Sequence, residues 1–129
     1  PLVVASPVLC PIVENTPGPT IGQFDAETGT MTFFTNGSVT DPGDGRLTLE
    51  KVRAELRRIV DVRRGTDRNL YYCNGLDLFG ESDNAELPLP DALHPSSEGY
   101  RRIGERFAAL VFGESGLIPR RSLARAEKS

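Results

Sequence analysis

Pro1-Leu2-Val3-Val4-Ala5-Ser6 is a continuous apolar run with β-branched residues at its centre, and its reading decides the fold. Strict alternation would mark a strand with one wet face, whereas an unbroken run marks a strand covered on both faces, as in a parallel sheet flanked by helices. Leu70-Tyr71-Tyr72, within Asn69 to Cys73, reads as a second short strand of the same kind. Between them Leu49, Val52, Leu56, Ile59 and Val60 recur at helical spacing from Thr48 to Arg64, with Thr48 as N-cap and Gly65 as stop. Strand, helix and strand in that order describe a crossover onto a parallel sheet, so the fold class is α/β. Two strands are not a sheet core, and the first needs a neighbour on its other edge; further polypeptide upstream is therefore expected.

Outward from this unit, the prolines between Pro7 and Pro19 remove donors and fix φ, which predicts a loop leaving the carboxyl end of the first strand. Met31-Thr32-Phe33-Phe34-Thr35, with Asn36-Gly37 as turn and Ser38-Val39-Thr40 as a short return strand, reads as a hairpin, and Asp41-Pro42-Gly43-Asp44-Gly45 as a further turn. The arginines Arg53, Arg57, Arg58, Arg63 and Arg64 are interleaved with Glu50, Glu55 and Asp61, the pattern of a solvated helix face. Gly75 to Gly80 predicts a turn. A last amphipathic helix is predicted from about Ser96 to Phe112, burying Tyr100, Ile103, Phe107, Leu110 and Val111 with Pro95 near its first turn. Residues 1–112 thus form one unit, and residues 113–129 a polar, basic tail expected to fray.

The whole chain has 129 residues, 38% hydrophobic and 26% charged, with a net charge of −3. That balance argues against a sequence-independent nucleic-acid binder, which needs a clear excess of Lys and Arg. The longest apolar runs fall well short of the roughly 18 residues a membrane-spanning helix requires. Two cysteines, Cys10 and Cys73, are too few for a disulfide scaffold and too far apart in sequence for a zinc site. They follow strands expected to be parallel neighbours, so a bridge is conceivable, although unpaired burial is the commoner fate. The compartment stays undecided.

Leu87-Pro88-Leu89-Pro90-Asp91-Ala92-Leu93-His94-Pro95 holds the one histidine of the chain. Its prolines keep Asp91 and His94 out of a helix, on a loop of the kind that carries reactive groups. A tight turn over this spacing brings the Asp91 carboxylate onto one imidazole nitrogen and leaves the other free to accept a proton. That is two thirds of a Ser-His-Asp arrangement, with Asp91 fixing the tautomer and stabilising the imidazolium formed during reaction. The plain alternative is a structural histidine packed at a helix start with Asp91 as its hydrogen-bond partner. One imidazole among scattered carboxylates gives no metal-ligand set.

Asp91-Ala92-Leu93-His94-Pro95, then Ser96-Ser97-Glu98-Gly99-Tyr100 and the helix with Ile103, Gly104 and Phe107, resembles the C-terminal signature of the SGNH (GDSL-like) hydrolases. The resemblance implies a flavodoxin-like three-layer parallel sheet of which this chain holds only the C-terminal strands and helices. It carries the family's acid onto Asp91 and its base onto His94. The family's nucleophile sits in a Gly-Asp-Ser motif and its oxyanion donors in a glycine block and a Gly-x-Asn-Asp block, and this chain has none of them. Gly43-Asp44-Gly45 and Gly113-Glu114-Ser115-Gly116 read as turns.

The implied function is a serine ester hydrolase of the esterase, lipase or acylhydrolase kind, acting on acylated small molecules, lipids or acetylated carbohydrate without metal or organic cofactor. Its serine would come from a missing N-terminal half or a partner chain, and the chain by itself would be inactive or nearly so. The loop from Pro7 to Gly45 would wall the acyl pocket; Phe24, Met31, Phe33 and Phe34 are candidates for its lining, with ordinary packing their commoner use. The rival reading is a non-enzymatic half-domain that binds a partner chain, or a second copy, through an exposed strand edge.

Overall fold

A computed structural model describes residues 1–38 and 46–119. In chain order these form β1 (Leu2–Ala5), α1 (Pro11–Glu14), β2 (Thr20–Asp25), β3 (Thr30–Thr35), α2 (Leu49–Arg63), β4 (Leu70–Cys73), α3 (Gly75–Leu78), α4 (Glu81–Glu86) and α5 (Ser97–Phe112). The two apolar runs pair as parallel strands, Leu2 opposite Leu70 and Ala5 opposite Cys73, with α2 as the connection between them. The protein is therefore mixed α/β with a small parallel sheet. Thr48 caps α2 as its sequence predicts, its hydroxyl accepting the Lys51 amide at 3.3 Å, and Val60 of α2 is fully buried.

The carboxyl ends of β1 and β4 are tied together, which fixes everything that follows them. Ser6 is buried, and its hydroxyl oxygen accepts both the Tyr72 phenol and the Gly75 amide at 2.9 Å. Gly75 starts α3 against the backbone of Ser6 and Pro7, so close that a Cβ there would collide with both carbonyl oxygens. The predicted turn from Gly75 to Gly80 is instead a helical turn, because Asn74 caps it through the Leu76 amide. Phe79, fully buried, follows, and its carbonyl receives the Leu9 amide at 3.0 Å.

The hairpin differs from the expected one. Its strands are β2 and β3, antiparallel with Ile21 opposite Phe34 and Phe24 opposite Met31. The turn is Ala26 to Gly29: Asp25 accepts the amides of Glu27 and Thr28 and the Thr28 hydroxyl, and Gly29 takes φ +68° where other residues are strained. Asn36-Gly37 lies at the hairpin's root, against Pro17, rather than at its tip. The proposed return strand at Val39-Thr40 and the turn from Asp41 to Gly45 fall outside the described residues.

Three further expectations change. Arg53 is not on the solvated face with Arg57 and Arg58; it is buried, paired with Glu14, and donates to the Pro7 carbonyl at 3.2 Å. Burial pulls its basicity down from the ordinary arginine value. On α5, Val111 is buried but Tyr100 and Leu110 are exposed, because no described element covers that side of the helix. Residues past Gly113 do not fray at once: the Leu117 and Ile118 amides bond back to Leu110 and Val111, and Ile118 is buried. The tail from 120 onward lies outside the described residues.

Candidate active site

The loop between α4 and α5 is held at both ends before it carries any chemistry. At its start, buried Asp83 of α4 accepts the Gly80 amide at 2.9 Å, Arg102 at 2.8 Å and Arg106 at 2.6 Å, which binds α4 to α5. Arg106 and the other donors hold the Asp83 carboxyl well below the usual carboxylate range, against the upward push of its burial. At its end, Ser96 caps α5 through the Gly99 amide at 3.1 Å. Gly99 is buried because Pro95 and the Phe79 ring pack over it; a Cβ there would sit 3.0 Å from the Pro95 Cβ.

Between these anchors Asp91 and His94 meet. The Asp91 Oδ1 accepts the amides of Leu93 at 2.9 Å and His94 at 2.7 Å, an Asx turn that bends the chain back on the carboxylate. Its Oδ2 lies 2.7 Å from His94 Nδ1. Ala92, between them, takes φ +69°, a left-handed conformation that costs a residue with a Cβ about 1–2 kcal/mol. Three docked groups hold it there: Ala92 donates its amide to the Leu89 carbonyl, Cys10 Sγ lies 3.7 Å from the Ala92 carbonyl, and the Phe33 amide donates to the Asp91 carbonyl at 2.8 Å.

The electrostatics fix the tautomer. Partial burial pushes the Asp91 carboxyl up, but the His94 amide, the His94 ring and the Leu93 amide outweigh it and bring its pKa down to about 2. Asp91 is therefore an anion at neutral pH and only accepts, so the neutral imidazole carries its proton on Nδ1 and offers the Nε2 lone pair. The His94 side chain is 55% exposed against 25% for Asp91. The half-buried partner orients and the exposed ring is accessible, the division of labour a general base requires.

Sequence reading located both residues of this pair, and the structure brings them together. It missed the parts that hold them. The Asp83, Arg102 and Arg106 cluster spans 24 sequence positions and has no motif; an arginine pair one turn apart on α5 was its only trace. Phe33, among the candidates for a pocket lining, stands with its ring edge-on to His94, centroids 5.4 Å apart. Met31, Phe34 and Phe24 are exposed on the hairpin. Cys10 and Cys73 are both free and buried, and burial raises both thiols above their usual pKa. Ser115 is exposed in the turn after α5.

A cleft of about 190 Å³ lined by Pro11, Ile12, Asn84, Pro88, Leu89 and Ala92 borders the loop. A larger one, about 590 Å³, lies against Leu9, Glu14, Asp77, Asp83 and Arg106 and does not include His94. Among the described residues no group of three or more His, Cys, Asp or Glu side chains is arranged to hold a metal ion, and no helix is long and apolar enough to cross a membrane.

No protein-family profile matches the chain, and no curated protein matches it. Among solved structures the fold is similar to that of the salicylyl acyltransferase SsfX3 from a tetracycline biosynthetic pathway, with a TM-score of 0.53 and 22% identity. The match covers 82% of this chain and 24% of that one, so the chain spans about a quarter of the length of the structure it resembles.

Proposed function

We propose that this chain supplies the acid and base of a serine ester hydrolase of the SGNH type, built on a flavodoxin-like sheet that other polypeptide completes. The observation that carries the reading is the 2.7 Å contact from Asp91 to His94 Nδ1 on an anchored loop, with more than half of the His94 side chain exposed. His94 Nε2 takes the proton of a seryl hydroxyl as its oxygen attacks the ester carbonyl, and Asp91 stabilises the imidazolium that results. When the tetrahedral intermediate collapses, Nε2–H returns that proton to the departing alcohol; water then repeats the sequence on the acyl-serine. The serine and the oxyanion donors come from outside this chain. The distant likeness to an acyltransferase supports acyl chemistry in general, with an alcohol or amine in place of water as acceptor.

Among the described residues β1 and β4 pair only with each other. Leu2 is 60% exposed against 7% for its partner Leu70, which favours the open edge of β1 as the place where the sheet would be completed. The same edge supports the second reading, a half-domain that docks by strand addition and does no chemistry. Reconstitution with the polypeptide that completes the sheet, assayed on p-nitrophenyl acetate, separates the two. Turnover that His94→Ala reduces by about 10⁴-fold or more supports the enzyme. A stable complex without turnover, or turnover indifferent to His94→Ala, removes it.

A further inference from the structure

The hairpin of β2 and β3 is exposed along nearly its whole length: every residue of β2 is exposed, and in β3 only Phe33 and Thr35 are half-buried. A two-stranded hairpin is marginal in water by itself, so its few contacts with the body hold it in place. One group lies at the root, where the Thr35 hydroxyl donates to the Pro17 carbonyl and the Asn36 amide to the Pro19 carbonyl. The other is Phe33, whose amide binds the Asp91 carbonyl and whose ring meets the His94 ring. Coupling between two docked elements is reciprocal. If the loop fixes the hairpin, the hairpin fixes the loop, at the peptide that leads into left-handed Ala92.

Gly22 completes the device. It stands opposite Phe33 in the hairpin register, on the same face as Met31 and Phe24. A Cβ at position 22 would lie 3.0 Å from the Phe33 ring and 3.2 Å from the Met31 sulfur, so the missing side chain is what lets Phe33 lie across β2. We infer that Phe33 is a positioning residue for the Asp91–His94 pair, and that Gly22 sets the placement of Phe33. Its consequence for catalysis rests on the function proposed above, but the ring geometry it governs is a property of this chain alone.

The single histidine makes the test direct, because every imidazole resonance of the labelled 129-residue chain belongs to His94. Imidazole ¹⁵N shifts at neutral pH report the ratio of Nδ1–H to Nε2–H tautomers, a quantity that packing elsewhere does not move. In the unsubstituted chain Nδ1–H predominates. Phe33→Ala lowers the ratio about three- to tenfold, the range of an edge-to-face ring contact; Phe33→Tyr restores it; Gly22→Ala falls between; Phe24→Ala, on the outer hairpin, leaves it unchanged. If Phe33→Ala loosens the fold as a whole, seen as lost dispersion of the Tyr72 and Val60 signals, Gly22→Ala and Phe33→Tyr still order the ratio. A ratio that Phe33→Ala and Gly22→Ala leave untouched while Asp91→Asn abolishes it overturns the positioning role and spares the functional reading. A ratio that even Asp91→Asn leaves untouched sinks the Asp91–His94 pairing, and both with it.

Discussion

The His94 loop and the outer faces of β1, α2 and α5 belong to one small chain, yet among the described residues one is finished and, on the function proposed above, the others await a cover. Around the loop the carboxylates and the helix cap are matched: Asp91 uses both oxygens, Asp83 gathers an amide and two arginines, and Ser96 caps its helix. On the other side Leu2, Val62 and Phe112 stand 60%, 68% and 47% exposed. The difference separates two kinds of order. A loop set by backbone conformation and charge-assisted hydrogen bonds is complete once a few partners reach it, whereas an apolar layer is complete only when its facing layer is present.

The largest effect that would sharpen this contrast is on the finished side. Phe79→Ala removes the largest fully buried side chain from beneath Gly99 and should cost about 3–5 kcal/mol, enough to unfold most of the chain in a urea titration. A loss near zero would show that the anchored loop does not depend on this core. Asp83→Asn should cost about 2 kcal/mol, less than for a fully buried pair because Arg106 is 40% exposed and partly screened. The same carboxylates set the acid limb. Both Asp83 and Asp91 titrate lower folded than unfolded, so their stabilisation is complete above the unfolded value of about 3.9 and is lost as pH falls toward 2. Thermal melts between pH 6 and pH 2 should show that decline, shallower in Asp83→Asn.

On the exposed side the expected effect is small in the chain and, on the function proposed above, large in its association with the polypeptide that completes the sheet. Ile59→Gln and Val62→Gln keep helix propensity and remove exposed apolar surface, so the stability of the isolated chain should change by no more than about 0.5 kcal/mol. Pull-down or native mass spectrometry with the completing polypeptide should show weakened association. Equal association would move the covering layer elsewhere.

The same contrast explains what could be read in advance. The strands β1 and β4, helices α2 and α5, and the Asp91–His94 pair are each declared by local periodicity or by a short spacing, and the structure places all of them. Arg53 was misread because its helix alternates charges, and only the tertiary position of Glu14 at the end of α1 makes it a buried partner. Periodicity assigns Tyr100 and Leu110 to a core, but it reports only that a face is apolar, not that a described element covers it. The hairpin register went astray because Asn36-Gly37 is a strong turn signal, yet Asp25 with Gly29 builds the turn through side-chain capping. The Phe33 contact with the loop joins positions 58 residues apart and leaves no local sign.

The smallest expected effect is the most discriminating. Ala92→Gly relieves the left-handed strain at φ +69°, a gain of about 1–2 kcal/mol, but also frees the unfolded chain, a loss of about 0.4–1 kcal/mol. The net should be a stabilisation of about 0.5 kcal/mol by chemical denaturation. Glycine visits both hands equally, however, so the Asx turn that presents His94 is no longer enforced by the residue at its centre. Hydrogen exchange at the Leu93 and His94 amides, both bonded to Asp91, should therefore accelerate while global stability rises. Opposite signs in the two measurements mean that the strain at Ala92 is retained for the geometry of the site. Exchange that slows in step with stability would mean that Ala92 is merely tolerated there, and that Asp91 and Phe33 hold the loop without it.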